Sequence, residues 1–206
     1  MKIKYKNNQN GQSLMELIVA IGVIVAGVLG ILTLIIATIL AGKEGSNRII
    51  AINLAREGIE IVRSIRDGNS VDTAGSAWDD GLNGGSNATP IINSPGSTTA
   101  VVLDFNHNFN AVNYTQVKIY NDNYYVQGPS AGGAGIYFFR RLDLQAICRN
   151  QNDLRDEKFT SFGNCTIEYG SNYDEVGLRV ISRVRWPSYN SSKEMTLEER
   201  LYDWRI

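Results

Sequence analysis

The sequence is poor in the residues that build metal and acid–base sites: one His and two Cys in 206 residues. That set is too small for a closed structural zinc site of Cys and His ligands. Surplus charge is missing as well. Twenty Lys and Arg stand against 21 Asp and Glu, a net charge of −1, whereas a protein that coats nucleic acid needs a large basic excess. At 43% hydrophobic residues the chain as a whole is not disordered. Its length suits one domain, or one domain with an appendage. Twenty glycines, with many Asn and Ser, mark a loop-rich part.

The averages conceal where charge is absent. Leu17 to Gly42 is a run of 26 residues without a charged side chain. The flank before it carries Lys2, Lys4 and Lys6 and no acid until Glu16. Residues 69–206 hold 12 basic and 16 acidic side chains, a net of −4. The chain reads as a basic tip, an apolar helix and a mildly acidic head.

As a helix the apolar run spans roughly 39 Å at about 1.5 Å per residue, against a hydrocarbon core of about 30 Å. It is long enough to cross a bilayer, and the preceding lysines predict a cytoplasmic N-terminus and an exported head. An ordinary secretory signal has an apolar region of only about 7–15 residues and a small-x-small cleavage site. Ile39-Leu40-Ala41 is a poor site of that kind. A plain membrane anchor accounts for the length, but not for the segment Gly11-Gln12-Ser13-Leu14-Met15-Glu16 at its start. A carboxylate at membrane depth is costly and calls for a partner. Cleavage after Gly11 would place a new amine at Gln12, one helical turn before Glu16, so that the two charges pair within one chain or between neighbours.

These residues resemble the class III leader of type IV prepilins and type II secretion pseudopilins. That family has a short basic leader ending in Gly, followed by a hydrophobic helix with Glu at mature position five. Gly11 matches the residue before the cut, Glu16 is the fifth residue from Gln12, and Ser13-Leu14 and Leu17-Ile18-Val19-Ala20 fit the pattern. The likeness covers about residues 1–45. Two departures stand out. The first mature residue, usually apolar, is Gln12, which leaves its N-methylation open. The proline that many pilins carry about twenty residues into the mature helix has no counterpart around Thr33, where Gly27 and Gly30 would loosen the helix instead.

The helical pattern runs on. On a 100° wheel, residues 50, 51, 52, 54, 55, 58, 59, 61, 62 and 65 fall within an arc of roughly 200°. Arg56/Glu60 and Arg63/Asp67 form i,i+4 pairs on the polar side, Arg66 alone breaks the division, and Gly68 suits a C-cap. One helix from about Ser13 to Asp67 is expected, about 80 Å long. A break at Gly42, Gly45 and Ser46, giving an anchor and a separate amphipathic helix, is the alternative. The wide apolar face suits burial against the head's sheet and against a neighbouring subunit.

Residues 68–100 are punctuated by Gly84-Gly85-Ser86-Asn87 and Pro95-Gly96-Ser97, which read as turns, with Trp78 as an anchor. Strands are predicted at 100–105, 115–120, 123–127, 136–144, 176–186 and 195–204. In 176–186, Val176, Leu178, Val180, Val184 and Trp186 share one face and Arg179, Arg183 and Arg185 the other. Met195, Leu197 and Leu201 continue the apolar face after a Pro187–Lys193 turn. The hairpin register that pairs these faces sets Trp186 opposite Met195, Val184 opposite Leu197, Val180 opposite Leu201 and Arg183 opposite Glu198.

The sequence carries little that points to catalytic chemistry. Gly128 to Gly135 is followed by no Gly-Lys-Ser/Thr, so it is a flexible turn and not a phosphate loop. His107 stands among asparagines with no nucleophile motif and reads as a polar loop residue. Asn121-Asp122-Asn123 lacks the Gly and distal Glu of a calcium loop. Tyr124, Tyr125, Phe138, Phe139, Arg140 and Arg141 fit strand packing better than nucleic-acid contact, given the acidic head. An exported head meets an oxidising exterior, where Cys148 and Cys165 are expected to bridge. The bridge would close a loop of about 18 residues, worth about 3 kcal/mol. Two buried thiols are the alternative.

The expected architecture is α+β and pilin-like: a cleaved leader (1–11), a transmembrane and assembly half of the helix (12–42), its amphipathic second half (43–68), and a loop-rich head with an antiparallel β-sheet (69–206). The resemblance implies a structural filament subunit, a pilin or minor pilin, and not an enzyme. It implies a prepilin peptidase cutting between Gly11 and Gln12, other pilin subunits meeting at Glu16, an assembly platform, and the membrane contacted through residues 17–42. The subunit would sit in the cytoplasmic membrane before assembly and in a surface filament afterwards. No cofactor, metal or nucleic-acid partner is expected. Alternatives are a pseudopilin of a type II secretion system, which shares every N-terminal feature, and a membrane-anchored surface binding protein that never polymerises.

Overall fold

The computed structural model describes residues 14–71, 77–83, 85–92, 101–121, 123–161, 164–188 and 191–204. The leader, Gly11, Gln12, Gly84, the Pro95–Ser97 turn and Asp122 lie outside the described residues. The chain divides into two units, one up to Ser46 and one from Asn47 onward. A single helix, α1 (Leu14–Val71), crosses that boundary without interruption at Gly42 or Gly45.

In the first unit every residue from Leu14 to Lys43 is exposed. The two hydroxyls of the apolar stretch bond back to their own helix, Thr33 to the Gly30 carbonyl and Thr38 to the Leu34 carbonyl, both at 2.8 Å. All polar groups of this stretch are thereby satisfied within the segment, as a lipid surround requires.

In the second unit α1 buries Ala51, Leu54, Ala55, Gly58, Ile59 and Val62. Their spacing is that of a single helix face set against a sheet. The remaining elements are β1 (Thr89–Ile91), β2 (Val102–Asp104), α2 (Val112–Thr115), β3 (Gln116–Tyr120), β4 (Tyr124–Gln127), β5 (Ala134–Asn150), β6 (Glu157–Thr160), α3 (Cys165–Tyr169), β7 (Tyr173–Pro187) and β8 (Ser192–Tyr202). The main sheet is antiparallel in the order β4-β3-β5-β7-β8, with β6 also paired to β5. β1 and β2 form a separate ribbon. It is tied to the sheet by bridges from Ala88 to Leu142 and from Ile92 to Gln127.

β5 turns Phe138, Arg140, Leu142, Leu144, Ala146 and Cys148 to the buried side with the period of two that a half-buried strand requires. Ile59 and Val62 of α1 pack with Leu142, Leu144, Leu178 and Val180. Ala51, Leu54 and Ala55 pack with Val117, Phe138, Val184 and Trp186. The class is α+β, and the second half of the helix is covered by an antiparallel sheet.

Three expectations about this unit are corrected. The helix does not stop at Gly68. Asn69 donates its amide to the carbonyls of Trp78 (3.2 Å) and Asp80 (2.8 Å), and Ser70 Oγ bonds to the Arg66 carbonyl at 3.0 Å. These contacts carry the last turn on to Val71. The β7–β8 register is displaced by two residues: Val184 faces Met195, Ser182 faces Leu197, Leu178 faces Leu201 and Arg183 faces Thr196. Both registers keep the same apolar faces together, because the side-chain period is two, so the turn decides between them. Pairing continues to Pro187 and Ser192, and Ser188 and Ser191 exchange hydrogen bonds across a tighter loop than Pro187–Lys193. On the polar side of α1, Arg63 reaches Glu60 and Glu199, while Asp67 accepts from Arg66 at 2.8 Å. The i,i+4 partner of Arg63 is therefore replaced by a carboxylate from β8.

Candidate functional site: the apolar helix, Glu16 and the polar centre of the head

Glu16 lies in the first turn of α1, where an acid complements the partial positive charge of a helix N-terminus. Beyond it the helix is apolar on every side, with Leu17 55%, Ile24 64% and Ile36 57% exposed. The helix is long and apolar enough to cross a membrane. Such a surface exists in water only if lipid or protein covers it. Gly11 and Gln12, the other two residues of the expected processing and assembly segment, fall outside the described residues.

The head holds its own polar centre under the helix. Arg140 is fully buried on the inner face of β5. Its Nε donates to Gln127 Oε1 at 2.9 Å, and its Nη1 donates to the Leu54 carbonyl at 3.2 Å and to Glu57 Oε2 at 2.8 Å. Burial pulls its pKa down, and the neighbouring Glu57 carboxylate opposes that shift. Gln127 is also fully buried and donates to the carbonyls of Tyr114 and Arg140, each at 2.9 Å. This network links α1, β4 and β5. Gly58 sits just above it, and the helix approaches closely enough that a Cβ there would lie 2.8 Å from Ser182 Oγ.

The aromatic and arginine residues assigned to strand packing in preference to nucleic-acid contact do not share one surface. Phe138 and Arg140 face inward, whereas Tyr124 and Tyr125 are 55% and 40% exposed. Arg141 and Arg185 lie over the ring of Phe109 at 4.9 and 4.1 Å, and Arg179 and Arg200 lie over Phe159 at 4.8 and 5.0 Å. The outer arginines are paired with acids as well: Arg179 with Glu198 (2.6 Å), Arg183 with Asp143 (2.9 Å) and Arg185 with Glu194 (2.9 Å). The Arg183–Glu198 pair expected from sequence is thus replaced by Arg179–Glu198, a consequence of the displaced register.

His107 stacks on Tyr114 at 3.6 Å between ring centroids, with Nε2 3.2 Å from Asp104 Oδ2. That arrangement fixes a loop and presents no nucleophile. Gly128 and Gly133 adopt positive φ in the turn between β4 and β5, and Lys118 Nζ donates to the Gly128 and Ala131 carbonyls at 3.2 and 3.0 Å. Cys148 and Cys165 are joined in a disulfide that ties α3 to β5. Trp78 packs, partly buried, against the core formed with Ile59 and Leu82. A cleft of about 550 Å³ lies between the end of α1 and β2, lined by Ile61, Ile65, Asn69, Asp80 and Val102 among others. Among the described residues no group of three or more His, Cys, Asp or Glu is placed to hold a metal.

No family model, curated protein or solved structure matches this chain. The chain itself defines an α+β protein whose N-terminal apolar helix is compatible with membrane anchoring.

Proposed function

We propose that this chain is a subunit of a type IV pilus-like filament, cut by a prepilin peptidase between Gly11 and Gln12 and assembled through α1. The observation that carries this reading is the position of Glu16, an acid in the first turn of a helix whose next 26 residues are uncharged and exposed. Before assembly lipid covers that surface. In a filament the same surfaces of neighbouring subunits replace the lipid. One apolar surround is exchanged for another, so the exchange supplies little hydrophobic driving force and specificity has to come from polar groups and packing.

Glu16 is the group that supplies it. Its charge needs compensation in an apolar bundle, and the Gln12 amine of an adjacent subunit is the partner the prepilin resemblance implies. At 4 Å and an effective dielectric of 20 their attraction is about 4 kcal/mol before desolvation is subtracted. The net is smaller, but an uncompensated Glu16 is strongly unfavourable. The head of each subunit stays attached to the second half of its own helix and faces outward.

The test is Glu16→Ala in the native host, with the membrane fraction and the sheared surface fraction measured separately. The expected result is a normal amount of protein in membranes and at least about a tenfold loss from sheared filaments, a net of about 1.4 kcal/mol or more. Normal incorporation of the variant into filaments would overturn the role given to Glu16.

A further inference from the structure

The two longest strands fall out of step at one point. Ile147 of β5 faces Gly177 of β7, but the next residue, Cys148, faces Glu175. Val176 is therefore an extra residue on β7, a β-bulge, and a bulge changes which face the residues beyond it take. From Gly177 onward the even-numbered residues of β7 point to the core. Before the bulge the odd-numbered ones do: Tyr173 is buried beside the disulfide, in the cluster that also holds Cys148. Glu175 takes the same inward face. Its Oε1 is buried without a hydrogen-bond partner.

The turn at residues 77–82 packs through Trp78 and Leu82 on the core cluster that holds Leu178 of β7, and the charge of its Asp79 acts on Glu175. Asp79 lies within this turn, which is closed by bonds from Asp80 N to the Ala77 carbonyl (3.1 Å) and from Leu82 N to the Asp79 carbonyl (2.8 Å). Burial, and after it the charge of Asp79, push the Glu175 carboxyl up to about 7. Asp80 stands beside Asp79 in the turn, and several charged groups of the adjoining elements are engaged elsewhere. Arg149 of β5 pairs with Glu157, and Asp174 of β7 accepts from Gln151. Arg66 of α1 pairs with Asp67 and donates to the Tyr202 carbonyl, and Tyr202 donates its own hydroxyl to Glu157. Past the end of β8, Asp203 donates its amide to the Val176 carbonyl at 2.9 Å.

The turn is also a structural joint. Trp78 and Leu82 belong to the core, and Asn69 at the end of α1 binds the carbonyls on either side of Asp79. We propose that Glu175 and the 77–82 turn form a pH-sensitive latch: with Glu175 neutral the turn lies closed on the sheet, and with Glu175 ionised the two like charges drive the turn off it. The latch stands on the head alone and does not depend on the filament reading.

The direction of the effect is fixed by linkage. The folded head holds the Glu175 proton more tightly than the unfolded chain, so the stability this proton contributes is lost as pH rises from about 4.5 to about 7. The test compares the full-length protein with its Glu175→Gln variant in detergent micelles at pH 5 and pH 8, by thermal unfolding and by amide exchange of residues 77–82. At pH 8 the variant is expected to melt about 2–6 °C higher, within the range for a domain of this size. Its turn amides should also be several-fold better protected than the parent's. At pH 5 the difference between the two should be much smaller. An equal shift at both pH values, or none at pH 8, would overturn the latch. Asp79→Asn removes the other charge, and a smaller gain confined to pH 8 is expected from it. If Glu175→Gln does not fold, the absence of that gain from Asp79→Asn overturns the proposal.

Discussion

Replacing Gly58 by alanine would place a Cβ 2.8 Å from Ser182 Oγ, 2.9 Å from Leu142 Cδ2 and 3.4 Å from Arg140 Cδ. All three neighbours belong to fully buried residues of the sheet. In a helix interior alanine is favoured over glycine by about 1 kcal/mol. Forcing an extra methyl into a packed core costs about 1–3 kcal/mol. Two of the contacts lie below 3.0 Å and their owners are fully buried, so the cost should win, with a net loss of up to about 2 kcal/mol. Gly68 is the control. It lies in the same helix with nothing within 4 Å of its Cβ position, so Gly68→Ala should keep a gain of a few tenths to about 1 kcal/mol. Thermal unfolding of the full chain in detergent micelles, followed by tryptophan fluorescence, reads the difference. Gly58→Ala should melt below Gly68→Ala by about 2–12 °C. Equal or higher stability for Gly58→Ala would mean that α1 is not seated at this depth on β5 and β7.

Two further predictions concern the same head. Arg140→Ala strands Gln127 Oε1 and opens a cavity, while Glu57, whose side chain is 37% exposed, regains water; urea denaturation should show a loss of about 2–4 kcal/mol. Arg140→Met should lose less, because it fills the space and no longer buries a charge. Removing the disulfide by reductant should cost about 3 kcal/mol, and Cys148→Ser with Cys165→Ser should cost at least as much, because both positions are buried.

Local patterning made the long elements legible. Twenty-six uncharged residues, followed by apolar positions at helical spacing, specify α1, and alternation of apolar and polar positions specifies much of β7 and β8. Parity is readable and register is not, because a shift of two residues leaves every apolar face in place and changes only which residues stand opposite one another. Thus Glu198 meets Arg179 and not Arg183. The end of α1 is not legible locally: Gly68 suits a cap, whereas the contacts of Asn69 come from a turn about ten residues away. Short elements such as β1 and β6 are set by the strands they meet more than by their own composition. Arg140 carried a signal in its place at an inward position between Phe138 and Leu142, but its partners on α1 and β4 arise only from the fold. Glu175 gave none, since its inward turn is made by the bulge at Val176. Glu16 was legible because it is a single acid beside a long uncharged run.

The central claim is that the chain is processed as a prepilin and assembled through its N-terminal helix. The mass of the N-terminal peptide, taken from membranes of the native host, tests it most directly. A processed prepilin gives a peptide that begins at Gln12, with or without one added methyl group. An intact Met1–Gly11 leader on surface-exposed protein would contradict it and reduce α1 to a membrane anchor for a β-rich head.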